Sequence, residues 1–283
     1  MSIDRGFLTI AQNTDGVDYL RLAYAQAMSI KLTMPDSQYC VIVDKSTNEQ
    51  ITDEQRLVFD HIRVLDEDYA KQDEWKLANE WQVFNLSPYK ETIKVESDIL
   101  FTRSIEHWWH AFRLRDIVLS LGTRDFKGKQ AKSRVYRKIF DANQLPDVYN
   151  GLMYFRYSKT ASEFFEIAEQ VFKQWETVKE NILKGFSYEE ASTDVVYAIT
   201  AKTLGIELCT LPDCDFINFT HMKNAINDWP DDKSWTEMIM TEIDLPMIRI
   251  NNVNQYHPVH YQDKNWLTDE MIERYKECLH NKN

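Results

Sequence analysis

Two carboxylates, Glu96 and Asp98, stand two residues apart directly after the run Thr92-Ile93-Lys94-Val95. Oxygen ligands at that spacing, at the exit of a strand, can hold one hard divalent cation. Such a cation would bridge two phosphates and neutralise the charge that builds on a diphosphate as it departs. The Glu-x-Asp pattern is short, and a solvated strand end is the simpler account of it taken alone.

A second feature is electrostatic. From Arg113 to Lys138 there are nine Lys or Arg against Asp116 and Asp125, a local charge of +7 in a chain whose net charge is −12. The acidic remainder argues against indiscriminate binding to nucleic acid or acidic lipid. The basic run is then either a solvated segment balancing the acidic body, or an acceptor-binding flap for a polyanion. In the second case Arg124, Lys127, Lys129, Lys132, Arg134, Arg137 and Lys138 would meet phosphates, and Phe126 and Tyr136 would stack on an unpaired base. The four cysteines show no Cys-x-x-Cys pair and read as reduced thiols. Trp108-Trp109 reads as packing beneath a sheet, with stacking on an acceptor ring as the alternative. His257 and His260 have the look of a metal pair, but Pro258 between them favours a loop packed on the body.

The elements that must position these groups alternate strand with helix, the pattern of an α/β fold. Residues 6–12, Tyr39–Val43, 61–65, 92–95, Ile117–Leu121 and 152–155 read as strands. The polar turn Asn13-Thr14-Asp15-Gly16 precedes apolar positions at helical spacing (Val17, Leu20, Tyr24, Ala27, Met28), which Pro35 ends. Further helices are expected over 74–86, around the wide apolar face Ala161, Phe164, Phe165, Ala168, Val171, Phe172 and Trp175, and over 195–204 behind the cap Ser192-Thr193-Asp194. With no Gly/Ser linker, repeat or low-complexity tract, the chain reads as one domain over 1–245 and a more irregular tail over 246–283, closed by a helix near 269–279. No run approaches the roughly 20 apolar residues of a membrane span, and the apolar N-terminal run is too short for a signal peptide. The expected location is therefore the cytoplasm, with no membrane partner.

Three segments together resemble the GT-A class of nucleotide-sugar glycosyltransferases, especially the family 8 type. Residues 91–101 (ETIKVESDILF) look like the strand ending in that class's Asp-x-Asp motif. Residues 148–155 (VYNGLMYF) are similar to its Asn-x-Gly strand, and 219–223 (FTHMK) look like its late His motif. The order fits over residues 6 to about 230. The whole is also similar to glycosyltransferase-like proteins of tailed bacteriophages. The resemblance departs at Glu96, one methylene longer than Asp, and in the late motif, which lacks the Gly and the Lys-Pro-Trp ending.

The resemblance implies a GT-A-like α/β domain with a Rossmann-type central mixed sheet flanked by helices. It implies a nucleotide-diphosphate sugar as donor, a UDP-sugar first, and Mn2+ or Mg2+ as cofactor. By position, Ala11, Asn13 and Tyr19 would contact the nucleotide, and Lys76 donor sugar or phosphate. Asp98 and His221, with Glu96, would ligate the metal, and Lys223 would hold the departing diphosphate. Asn150 would line the sugar site, and Asp194 would meet donor sugar or acceptor hydroxyl, a role compatible with capping its helix. The phage likeness and the basic run make hydroxymethylated DNA bases a candidate acceptor, flipped from the duplex, in an infected host cell. Two other functions are open: a non-catalytic binding or scaffold protein of the same fold, kept alive by Glu96, and a nucleotidyltransferase, disfavoured because the first strand ends in Gln12-Asn13-Thr14-Asp15 without a basic Gly-rich loop.

Overall fold

The computed structural model describes residues 3–71, 76–131, 137–185, 190–211 and 217–281. Among them are the strands β1 (Ile3–Ile10), β2 (Tyr39–Val43), β3 (His61–Val64), β4 (Tyr89–Val95), β5 (Ile99–Leu100), β6 (Ile117–Leu121), β7 (Val148–Arg156), β8 (Thr220–His221), β9 (Thr241–Asp244), β10 (Met247–Ile250), β11 (Val253–Asn254) and β12 (Val259–His260). Six of them form a central sheet in the order β3-β2-β1-β4-β7-β6. The first four are parallel, while β7 runs antiparallel to both β4 and β6. This is the mixed, helix-flanked α/β sheet expected from the sequence.

Both faces of the sheet are covered, so its strands are apolar on both sides rather than alternating. In β1, Phe7 packs into one core with Val41, Ile93 and the helix Tyr19–Thr33. Its neighbour Leu8 packs into the other core with Ile42, Met153 and the helices Lys159–Lys173 and Thr193–Leu204. Trp108 and Trp109 are each 1% exposed within the first core, which removes them from any acceptor ring.

The segment expected as one helix over 74–86 is broken. It begins at Lys76 in left-handed backbone, continues as a 3-10 turn over Leu77–Gln82, and ends in one α turn over Val83–Leu86. Long-range bonds hold it there: Asn79 binds Gln12 and Asp68, and Glu80 pairs at 2.6 Å with Lys94, fully buried on β4.

Within the expected tail, residues 246–281 are built into the fold. The division at 245 falls inside a hairpin, since Met247 on β10 pairs with Asp244 on β9. Further on, β12 is the middle strand of a second sheet, β5-β12-β8. The helix Asp269–His280 packs Met271, Ile272 and Tyr275 into the first core, and Asp269 pairs with Arg21 at 2.8 Å. No helix among the described residues is long and apolar enough to cross a membrane.

Candidate active site

Ligands of open α/β sheets bind beyond the carboxyl ends of the parallel strands. Here β1, β2 and β4 end on one edge, and the start of antiparallel β7 meets them there. The amide of Glu96 donates to the Gly151 carbonyl at 3.0 Å, so the chain leaves β4 tied to β7. Buried Gln26 clamps the turn that follows by donating to the carbonyls of Glu96 and Ile99. These bonds fix Glu96 and Asp98 at the mouth of a cavity of about 370 Å³.

The small sheet brings the rest. His260 on β12 pairs in register with Ile99 on β5 and His221 on β8. Its Nε2 lies 3.0 Å from Asp98 Oδ2 and 3.4 Å from Glu96 Oε2. Lys264, just beyond β12, donates its ammonium to the same Asp98 oxygen. Among the described residues, ligand atoms of Glu96, Asp98 and His260 lie within 4.8 Å of one another. Two carboxylate oxygens and an imidazole nitrogen are a donor set that can hold a divalent cation, Mn2+ among them.

Burial would raise the Asp98 carboxyl, but His260 and Lys264 outweigh it and hold it well below the usual carboxylate range. Burial works against the charged His260 ring, yet the Asp98 carboxylate and then Glu96 raise its pKa above the ordinary 6.5. Glu96 is pushed up by desolvation, against the pull of His260 and Lys94. The ammonium of Lys223 is pushed down by burial, and Arg137 adds to this.

His221, expected among the ligands, stands one ring behind them. It stacks on His260 with centroids 4.5 Å apart and does not join the three-atom group. The sequence places His260 in a packed loop and gives Lys264 no role. A signal existed: a second late His followed four residues on by Lys264 and then Trp266. The two-residue length of β12 and Pro258 before it hide that signal.

Of the other expected contacts, Tyr19, Lys76, Asn150, Asp194 and Lys223 line the cavity. Lys76 donates its ammonium to the carbonyls of Ala70 and Lys71. Ala11 is 1% exposed in the core, and Ile10 and Gln12 on either side of it face the cavity instead. Asn13 is spent on structure: its Oδ1 accepts from the Leu20 amide and its Nδ2 donates to Gln50. Asp194 has both oxygens engaged, one by the Asn150 amide at 2.7 Å and one by Arg137 at 2.9 Å. These bonds tie Asp194 to the start of β7 and to Arg137 while it lines the cavity.

The basic run divides. Arg137 is 1% exposed, lies between the rings of Phe140 and Tyr149 at 3.8 Å from each, and pairs with Asp147 and Asp194. Its charge is consumed inside the protein, so it is no phosphate contact for an acceptor. Phe126 is buried and stacked on Trp229, which removes it as a base-stacking ring. Arg124 donates to the Gly128 carbonyl, while Lys127, Lys129 and Lys138 are exposed. Lys132, Arg134 and Tyr136 lie outside the described residues.

No protein-family model matches the chain, and no curated protein matches it in sequence. Solved structures do match in fold. The galactosyltransferase LgtC, solved with donor and acceptor sugar analogs, superposes with a TM-score of 0.54 at 14% identity, over 98% of this chain and 95% of that one. The bifunctional glycosyltransferase WbbM gives 0.56 at 12% identity, over 99% of this chain and 50% of that one. The glycosyltransferase GlyE of Streptococcus pneumoniae gives 0.52 at 11%, over 98% and 60%. The chain thus has the GT-A fold of these glycosyltransferases.

Proposed function

We propose that the protein is a metal-dependent glycosyltransferase that moves a sugar from a nucleotide diphosphate to an acceptor hydroxyl. The observation that carries this is the convergence of Glu96, Asp98 and His260 at the carboxyl edge of a GT-A sheet, beside Lys264 and Lys223 in one cavity. Glu96, Asp98 and His260 would hold the cation, Mn2+ or Mg2+. Bound there, it supplies charge neutralisation to the diphosphate leaving group. Lys264 and Lys223 add positive charge where that group's charge grows, which favours bond cleavage over mere binding. Gln12 and Tyr19 line the cavity at the end of β1 and suit the nucleoside, with UDP first among the nucleotides. Asn150 faces the sugar, its side chain 3.4 Å from Glu96.

For the acceptor, a polyanion such as DNA bearing hydroxymethylated bases has the narrower support. Among the described residues it now rests on Arg124, Lys127, Lys129 and Lys138, with Lys127 and Lys129 the exposed cations of the turn around Gly128. A hexose and a pentose donor both fit this reading.

The test is turnover. Incubated with Mn2+ and a panel of UDP- and GDP-sugars, the protein should release nucleoside diphosphate from at least one donor, and glucosylated or otherwise sugar-bearing product should appear with the right acceptor. Tight nucleotide-sugar binding without release, across hydroxymethylated DNA and simple sugar acceptors alike, would favour a non-catalytic binding protein of the same fold.

A further inference from the structure

Beside the proposed cation group, His221 is a buried imidazole with no hydrogen-bond partner among the described residues. It is 7% exposed and lines the cavity. Its ring stacks on His260, meets Tyr149 edge-on at 6.1 Å and leans on Phe219 at 5.9 Å. These contacts fix the ring's position, yet neither Nδ1 nor Nε2 has a hydrogen-bond partner among the described residues. Two more walls of the same cavity share that state: Asn150 Oδ1, in a residue 1% exposed, and Thr193 Oγ1, in a residue 3% exposed. Among the described residues the cavity wall thus holds four such atoms on His221, Asn150 and Thr193, beside Nδ1 of His260. Each buried group left unmade costs on the order of 1–3 kcal/mol, which points to a ligand that completes them.

Their chemistry selects the ligand's part. An imidazole carrying one proton offers one donor and one acceptor, an amide oxygen only accepts, and a hydroxyl does either. An ionised phosphate oxygen only accepts, so it leaves Asn150 Oδ1 and the bare nitrogen of His221 unserved. A sugar hydroxyl both gives and receives. We propose that His221, together with Asn150 and Thr193, reads the hydroxyls of the transferred sugar and touches neither the diphosphate nor the cation. This rests on the glycosyltransferase reading above and makes His221 a residue that determines donor specificity.

The experiment is calorimetry in saturating Mn2+ with UDP, GDP and their glucose, galactose, N-acetylglucosamine, xylose and mannose conjugates. The quantity read is the affinity of the best nucleotide sugar relative to its bare diphosphate. His221→Phe keeps the ring stack and removes both nitrogens; it should lower that ratio about tenfold, one hydrogen bond's worth, with diphosphate affinity held within about twofold. His221→Gln, which retains a donor and an acceptor, should restore most of the ratio. Thr193→Val gives an independent loss of the same kind if the Phe variant folds poorly. Equal losses for diphosphate and sugar conjugate, no loss for either, or a wild-type ratio already near one would overturn the proposal. Wild-type protein that binds no nucleotide at all fails earlier, at the glycosyltransferase reading, and takes this inference with it.

Discussion

The carboxylate of Asp98 and the ring of His260, 162 positions apart in the chain, meet at 3.0 Å. The contact ties the exit of the central sheet to a strand contributed by the last quarter of the sequence. It is also what assembles the proposed cation group, since Glu96 and Asp98 come from the turn that follows β4 and His260 comes from β12.

His260 and His221 should separate cleanly. His260→Gln is expected to lower Mn2+ affinity by at least about tenfold, as even groups supporting metal ligands cost 10–100-fold. His221→Phe should leave Mn2+ affinity within about twofold. Titration of free Mn2+ by electron paramagnetic resonance reads both, and the reverse ranking would restore His221 to the ligand set.

Cation affinity should climb with pH through the neutral range. The carboxylates raise His260 above its ordinary pKa of 6.5, and the proton must leave before the ring can bind metal. Affinity is therefore lost as pH falls through the raised value. In the cation-free protein the sign is opposite: protonated His260 stabilises the fold below 6.5, and that contribution fades as pH rises through the folded value. Mn2+ titrations at pH 6 to 9 and melts without metal check the two directions.

Much of this arrangement is legible in the sequence, and the illegible parts share a cause. The run ending in Val95 and the amphipathic helix Lys159–Lys173 declare themselves through local pattern. The carboxyl edge of the sheet, and with it Glu96 and Asp98, follows from the first. His260 and Lys264 do not, because β12 is two residues long and its pairing with β5 and β8 has no local signature. Arg137 misleads for a related reason. It sits in a basic run, but Ile139 and Phe140 next to it are buried, and two distant carboxylates neutralise it.

Removal of the Arg137 guanidinium should destabilise the whole fold. Its truncation leaves Asp147 and Asp194 without their shared cation and opens the stack between Phe140 and Tyr149. Because both carboxylates keep close to a third of their surface in water, we expect roughly 2–4 kcal/mol, somewhat under the cost of breaking a fully buried pair. Urea denaturation of Arg137→Ala measures it; a loss under about 0.5 kcal/mol would return Arg137 to the surface set.

Gly151 should not tolerate a side chain. A Cβ there would lie 2.7 Å from the Phe219 ring, which is fully buried and hemmed in by Tyr149, His221 and His260. Gly151→Ala is expected to cost about 1–3 kcal/mol by overpacking and to weaken nucleotide-sugar binding through displacement of β8. Phe219→Leu in the same chain should recover part of the loss, which denaturation of the single and double variants would reveal.

The most direct measurement is calorimetry of the wild-type protein and Asp98→Asn with UDP and GDP, each with and without Mn2+. If Asp98 joins β4 and β12 around a cation that carries a diphosphate, the wild type binds one of these nucleotides far more tightly with Mn2+, and Asp98→Asn abolishes the Mn2+ dependence. Nucleotide binding that ignores Mn2+, or survives unchanged in Asp98→Asn, would contradict it.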